Sequence, residues 1–117
     1  MAEIAHTSDI TIRVGLSANR SPVHIEWTAD DLQNGGQMEA CKAMFLSLFN
    51  REQRDTLRID LWTEDMQVQE MDRFVYQTLR AMSETYLRAT QNKQMAEQMA
   101  RFAQFFGEET EILPRSG

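Results

Sequence analysis

The residues best suited to chemistry in this chain are one cysteine and two histidines. Cys41 lies 17 residues after His24, which lies 18 residues after His6. Thiolate and imidazole are good zinc ligands, but zinc sites take them in closely spaced pairs. A nucleophilic Cys41 with His24 as its base would need cross-strand proximity and a third group that orients the base. The spacing therefore favours a small buried thiol and surface imidazoles.

Carboxylates form the second group of candidates. Asp60, Glu64 and Asp65 cluster at the end of a predicted strand, and Asp30 and Asp31 lie in a predicted loop. Paired carboxylates can transfer protons or hold a hard cation. Helix capping and solvation explain these positions more simply, so we expect no catalytic residue, no metal and no cofactor. The chain is predicted not to be an enzyme.

Alternating apolar residues predict a first β-hairpin. Ile10–Leu16 and Val23–Thr28 each alternate apolar and polar side chains, as a half-buried strand does. The segment Ser17–Pro22 between them is rich in turn-forming residues. A loop follows, and its Gly35–Gly36 pair lacks the lysine and the strand-then-helix context of a phosphate-binding loop.

A second hairpin is predicted further along the chain. Cys41–Phe49 is apolar at both odd and even positions, which fits a strand buried on both faces or a short buried helix. Its Phe and Leu content and the polar turn Asn50–Asp55 favour the strand. Leu57–Trp62 alternates cleanly and completes the hairpin. We therefore expect one four-stranded antiparallel sheet, with strands within residues 8–62.

Two helices are predicted over residues 64–106. Thr63 can cap the first, and the acidic Glu64 and Asp65 suit its positive N-terminal end. The following apolar side chains share one face of that helix and are expected to be its core stripe: Val68, Met71, Val75, Leu79, Met82 and Tyr86. Beyond Ala89 the apolar face moves by about 180° on the same helical wheel.

This change of face favours a break within Thr90–Lys93, with Thr90 or Asn92 capping a second helix. The alternative is one long bent helix whose second half reaches a partner. Gly107 is expected to end the second helix. Residues 108–117 then form an acidic, frayed tail.

A Met- and Phe-rich face on the second helix is the best candidate for protein binding. We define the Met/Phe face as Met95, Met99, Phe102 and Phe106, which recur at helical spacing. Methionine repacks readily around different partners, although such residues also fill cores. Tyr76 and Leu87 lie together on the flank of the first helix, where they could widen a docking surface.

Composition limits the class of protein. The 117 residues have room for a single domain, residues 1–117, with a core that needs no disulfide. One cysteine, an N-terminus without signal-peptide character and the lack of a long apolar run favour a cytoplasmic protein without direct membrane insertion. The net charge of −6 argues against nucleic acid as a partner, because nucleic-acid binders need a positive surface.

The chain resembles the GldC family of gliding-motility-associated proteins over roughly residues 8–107. The segments that carry the resemblance are Ile25–Ala29, Cys41–Ala43, Leu57–Thr63, Met71, Phe74–Leu79, Arg88–Thr90, Lys93–Glu97 and Phe102–Gly107. It implies a small soluble cytoplasmic protein associated with gliding in bacteria of the Bacteroidetes type, and it carries over no catalytic or cofactor residues. Separately, strands followed by two helices is similar in outline to SecB-type export chaperones, a likeness of fold that does not establish function.

These observations lead to an expected function and a rival to it. We expect a non-catalytic adaptor that binds protein partners, among them cell-envelope or motility machinery. The alternative is a SecB-like oligomeric holdase for unfolded or exported chains. Because edge strands of a small open sheet tend to pair, we also expect a homo-oligomer.

Overall fold

The computed structural model describes residues 2–31 and 36–115. Gly35 of the predicted loop and the last two residues of the predicted tail lie outside these ranges. The chain divides between Met66 and Gln67 into two compact units. We call them the β unit and the helical unit and describe each by itself. The single domain expected from the sequence stays a prediction.

The β unit is built from antiparallel strands. They are β1 (Ile10–Leu16), β2 (Pro22–Ala29), β3 (Glu39–Cys41), β4 (Ala43–Phe49) and β5 (Thr56–Trp62). One sheet has the order β1-β2-β3, and the second pairs β4 with β5. The α+β class, both hairpins and the strand over Ala43–Phe49 of the predicted Cys41–Phe49 run are confirmed. The single four-stranded sheet is wrong.

A bend at Lys42 is the reason for the two sheets. It divides the predicted third strand into β3, which pairs with β2, and β4, which pairs with β5. The carbonyl of Lys42 accepts the backbone N–H of Thr63 at 2.7 Å, just beyond the end of β5. A bend of this kind redirects a strand without any glycine or proline, so the sequence carries no local signal for it.

The three-stranded sheet has one apolar and one polar face. The register places Ile25 of β2 between Val14 of β1 and Cys41 of β3. Directly opposed residues share a face, so these three side chains point to the same side of the sheet. Ile25 is 0% exposed, and it is the largest fully buried side chain of the described residues. On the other face, Arg13 and Glu26 form an ion pair at 3.2 Å.

The β4–β5 hairpin has a well-defined turn. The side-chain oxygen of Asn50 accepts the backbone N–H groups of Glu52 and Gln53 at 3.0 and 2.8 Å. The backbone N–H of Asn50 donates to the carbonyl of Asp55 at 2.9 Å. An Asn that satisfies its own turn is a common way to fix hairpin geometry. The register of β4 against β5 follows from this turn.

The helical unit consists of α1 (Val68–Thr90) and α2 (Lys93–Glu109). Thr63 as the cap of the first helix is wrong, because the N-cap of α1 is Gln67, four residues later, and the helix begins at Val68. The backbone N–H of Gln67 donates to the Glu70 carboxylate at 3.0 Å. The Thr63 hydroxyl instead donates to the Asp65 carboxylate, and Thr63 is buried at the end of β5. None of the helices described is long and apolar enough to cross a membrane.

The break between the helices lies where the sequence predicts it. Gln91 ends α1 in the left-handed region at φ 60°, and its backbone N–H donates to the Leu87 carbonyl at 2.8 Å. Asn92 is the N-cap of α2, and its side-chain oxygen accepts the backbone N–H of Met95 at 3.1 Å. Two separate helices are therefore confirmed, and one bent helix is wrong.

Replacing Asn92 with Ala should lower the free energy of unfolding by about 1 kcal/mol, because it removes the side-chain acceptor of the α2 N-cap. Urea-induced unfolding followed by circular dichroism measures the change. Asn92→Asp is the matched control, since its carboxylate still accepts from Met95. Equal losses in both variants would contradict the capping role.

The C-terminal end of α2 differs from the prediction. The helix continues through Gly107 to Glu109, and Thr110 is its C-cap. The chain then turns back, and the backbone N–H of Leu113 donates to the Gly107 carbonyl at 2.9 Å. Ile112 and Leu113 are half-buried, so this part of the segment expected to fray is packed. Gly107 serves close packing in place of helix termination.

Candidate interaction surface of the helical unit

The two helices form an antiparallel hairpin joined by a two-residue connection. Small residues line the contact on α2: Ala96, Ala103 and Gly107 are all buried. On α1 the buried residues are Tyr76 and Ser83. A Cβ built on Gly107 would lie 2.9 Å from the Tyr76 ring, which shows how closely the two backbones approach. Small residues at the contact allow the two helix backbones to lie this close together.

Because the small residues take up the contact, the large apolar residues of α2 lie away from it. Met95 and Phe102 of the Met/Phe face are 51% and 53% exposed, while Met99 and Phe106 are half-buried. The Phe102 ring lies 6.4 Å from the Phe106 ring and 6.0 Å from that of Phe105, measured between centroids. These aromatic contacts hold part of the face in place without covering it.

An open groove of about 610 Å³ runs beside this face. Its wall on α1 consists of Phe74, Gln77, Thr78, Ala81, Met82, Thr85, Tyr86 and Ala89, and Met99 lines it from α2. Met99 therefore joins the groove to the Met/Phe face. None of these nine lining residues, all within the described range, carries a charge.

The predicted core stripe is wrong at two positions: Val68 is 78% exposed, and Met82 is 51% exposed and lines the groove. Apart from Met82 and Tyr86, the α1 wall was missed by sequence reasoning, since four of its eight residues are Ala or Thr. Small residues contribute little to an apolar stripe. The spacing of Thr78, Ala81, Thr85 and Ala89 at i, i+3, i+7 and i+11 is the signal that could have found it. Phe105 was missed because it lies outside the stripe.

Tyr76 and Leu87, expected to widen the docking surface, lie on the side of α1 that contacts α2. Tyr76 is buried, and its hydroxyl accepts from the guanidinium of Arg80 at 3.1 Å. Leu87 is half-buried and borders a second, more polar groove together with Ala96 and Lys93. The structure thus brings together the four residues of the Met/Phe face and separates Tyr76 and Leu87 from them.

In the β unit, the structure does not assemble Cys41 and His24 into a nucleophile and its base. Cys41 shares the face of its register partner Ile25, whereas His24, one residue earlier, points to the opposite side of the sheet. Burial raises the pKa of the Cys41 thiol, which disfavours the reactive thiolate. The imidazole Nε2 of His24 lies 3.2 Å from the Glu26 carboxylate.

The carboxylates near the end of β5 are held by neighbouring side chains. Asp60 pairs with Arg58 at 2.9 Å. The hydroxyl of Thr63 donates to Asp65, and this hydrogen bond lowers the pKa of the carboxyl. Within residues 2–31 and 36–115, no group of three or more His, Cys, Asp or Glu side chains could hold a metal ion.

A comparison with protein families matches residues 22–112, which is more than three quarters of the chain. The matching family is described as "Gliding motility-associated protein GldC-like". The family resemblance seen in the sequence is thereby confirmed. No curated protein and no solved structure matches the chain, so the likeness in outline to SecB-type chaperones stays a prediction.

Proposed function

Because the chain belongs to the GldC-like family of gliding motility-associated proteins, we propose that it is a non-catalytic adaptor that binds protein components of motility or cell-envelope machinery. The observation that carries this proposal is the Met/Phe face, exposed at Met95 and Phe102 and continuous with a groove between two helices. An apolar surface of this kind on a helical pair is suited to holding another protein.

The chemistry of the surface indicates the kind of partner segment. A groove between two helices accepts the apolar side of an amphipathic helix. Since the groove lining carries no charge, binding rests on apolar burial and should depend little on salt concentration. Methionines at Met82, Met95 and Met99 would let the surface adapt to the side chains of its partner.

The geometry of the β unit supports a binding role in preference to a catalytic one. Cys41 and His24 lie on opposite faces of their sheet, and the Cys41 thiol has a raised pKa. Asp60 and Asp65 already pair with Arg58 and Thr63. The positions of these four candidate residues are therefore accounted for by their structural surroundings.

In the double variant Met95→Asp/Phe102→Asp, the affinity for partner proteins should fall about a hundredfold or more, because apolar anchors dominate the energy of interfaces. The measurement is capture of the tagged, mildly crosslinked protein from its own cells with quantitative mass spectrometry. Circular dichroism should be unchanged, since both side chains are more than half exposed. Wild-type protein should retain a few stoichiometric envelope or motility proteins.

Gln94→Asp is the control for an added charge, because it places one carboxylate in the same helical turn as Met95 but outside the Met/Phe face. It should capture the same partners as wild type. Retention of those partners by the double variant would overturn the binding surface, and unfolding of the double variant would mean that the face belongs to the core.

A holdase for unfolded chains is the second candidate, favoured by the large exposed apolar side chains in both units. Under this alternative the same capture experiment yields a broad set of nascent or exported chains in place of a few partners. Purified protein would then also suppress the aggregation of unrelated unfolded proteins. An adaptor would do neither.

A further inference from the structure

β1 is an edge strand, and half of its backbone groups face away from its sheet. The sheet order β1-β2-β3 leaves β1 hydrogen-bonded on one side only. The backbone N–H of Asp30 donates to the Asp9 carbonyl at 3.0 Å, and this bond shows which residues of the segment face β2. Because facing and outward residues alternate in an antiparallel ladder, the pattern continues along the strand. The residues of β1 whose backbone groups point outward are Ile10, Ile12 and Val14.

The outer edge of β1 lacks the features that usually protect an edge, which are a short strand, lysine, proline or a bulge. The opposite edge of the sheet, β3, has only three residues, whereas β1 has seven, without lysine or proline. The register of β1 against β2 is regular up to a shift between Gly15 and Leu16. Within residues 2–31 and 36–115, no backbone hydrogen bond outside the ladder reaches the outward groups.

The helical unit has no strand to offer this edge. The backbone groups of α1 and α2 bond within each helix, and this is independent of where the helices lie. A partner that satisfies the edge through its main chain must therefore supply an extended segment.

The charges around β1 suit an antiparallel copy of the same segment. Asp9 and Arg13 lie on one side of the strand with Thr11 midway between them. In an antiparallel pair centred on Thr11, Asp9 of each copy lies directly opposite Arg13 of the other, and opposite charges at such positions stabilise a strand pair. The same register brings the outward groups of Ile10 opposite those of Ile12. Among the described residues, none of the ion pairs uses Asp9.

Neighbouring registers lose this match. A pair centred on Ile12 places Arg13 opposite the uncharged Thr11. A pair centred on Arg13 places two guanidinium groups opposite each other, which is destabilising. The charges of the segment therefore select the register centred on Thr11.

The strands of the β4–β5 hairpin are also at edges, but their charges do not select a copy of themselves. β4 carries no charge. In β5, Arg58 and Asp60 already pair with each other at 2.9 Å. β1 is thus the edge whose charges are complementary to those of its own copy.

We propose that β1 pairs with β1 of a second copy, antiparallel and centred on Thr11, and joins two three-stranded sheets into one sheet of six strands. Main-chain hydrogen bonds supply the affinity in this mode of association, and side chains fix the register. The two-fold axis makes each contact twice. The pairing involves the β unit alone and leaves the Met/Phe face available to other proteins.

Sedimentation equilibrium of the full chain tests the pairing. Wild type should approach twice the 13.6 kDa of one chain as its concentration rises. Ile12→Pro removes an outward N–H that the symmetric pair uses twice, so it should weaken the dimer about thirtyfold or more. Its circular dichroism should be unchanged, because this N–H does not bond to β2. Ile12→Ala is the matched control, since it keeps the N–H and should retain the dimer.

Disulfide capture tests the register without disrupting the dimer. In a Cys41→Ser background, Thr11→Cys places two thiols directly opposite each other, at a non-hydrogen-bonded pair whose Cα atoms lie about 4.5 Å apart. This distance is within the range of disulfides. In a glutathione redox buffer, a covalent dimer should form at least about tenfold faster than with Ala18→Cys. Ala18 is the control because it is equally exposed but lies in the turn after β1.

Three results would overturn the proposal: a wild-type chain that stays monomeric, a dimer unaffected by Ile12→Pro, or equal crosslinking of Thr11→Cys and Ala18→Cys. A dimer that is lost in Met95→Asp/Phe102→Asp but kept in Ile12→Pro would place the contact on the Met/Phe face and would also overturn it. Loss of partner capture by Met95→Asp/Phe102→Asp leaves the strand pairing intact, so the adaptor function and the dimer are tested separately.

Discussion

Replacing Ile25 with Ala should lower the free energy of unfolding by about 2–5 kcal/mol. Ile25 is completely buried in the central strand, between Val14 and Cys41 on one face of the sheet. Truncation loses the transfer free energy of the deleted groups and leaves a cavity that a hydrogen-bonded strand cannot close. Urea-induced unfolding at a fixed protein concentration measures the effect.

Two further variants separate burial from a general effect on the sheet. Ile25→Val removes a single methylene and should lose only about 0.5–1.5 kcal/mol. Ile10→Ala changes a side chain that is mostly exposed on the neighbouring strand and should stay within about 0.5 kcal/mol of wild type. If Ile10→Ala cost as much as Ile25→Ala, the central position of Ile25 in the core would be contradicted.

Replacing Gly107 with Val should destabilise the protein by about 3 kcal/mol, through overpacking between the helices. A Cβ at this position would lie 2.8 Å from the Leu113 side chain and 2.9 Å from two atoms of the Tyr76 ring. The ring is buried, so α1 and α2 would have to separate. Thermal unfolding followed by circular dichroism at the helical band measures the loss.

The same reasoning orders the smaller substitution. Gly107→Ala gains up to about 1 kcal/mol of helix propensity but still places a methyl group against Tyr76, so a net loss of about 1 kcal/mol is expected. Gly15→Ala is the comparison, because a Cβ there would find His24 at an ordinary 3.5 Å. Stabilisation by Gly107→Ala would contradict the close approach of the two helices.

The outcome at Gly107 also bears on the proposed binding surface. The small residues Ala96, Ala103 and Gly107 hold the helices together, and this leaves the Met/Phe face outward. A helical pair that separated to accept larger side chains would turn or cover that face. Gly107→Val should therefore weaken partner capture together with stability, whereas Met95→Asp/Phe102→Asp should weaken capture alone.

Local patterns determined most of the secondary structure. The change of apolar face after Ala89 and the capping chemistry of Asn92 placed the break between the helices correctly, because the first depends only on helical periodicity and the second on a single turn of chain. Alternation placed β1, β2 and β5 for the same reason. Helical spacing also determined that the four residues of the Met/Phe face lie on one side of α2.

Features that depend on residues distant in the sequence could not be predicted from local patterns. The bend at Lys42 depends on Thr63, 21 residues away in the sequence, and it divides one predicted sheet into two. Gly107 reads locally as a helix end, but Tyr76 and Leu113 give it a different role. Thr63 reads locally as a cap, yet its hydroxyl and backbone N–H are used at the end of β5.

The sequence by itself determined the fold class, the helix break, the two hairpins and the family to which the chain belongs. Only the tertiary structure decided which apolar residues are buried. On α2 the large side chains carried the stronger pattern, but the small ones lie in the contact, because helices joined by a two-residue turn approach most closely through alanine and glycine. Large apolar side chains dominate a hydrophobic pattern in the sequence, whereas the contact between α1 and α2 has room only for small ones from α2.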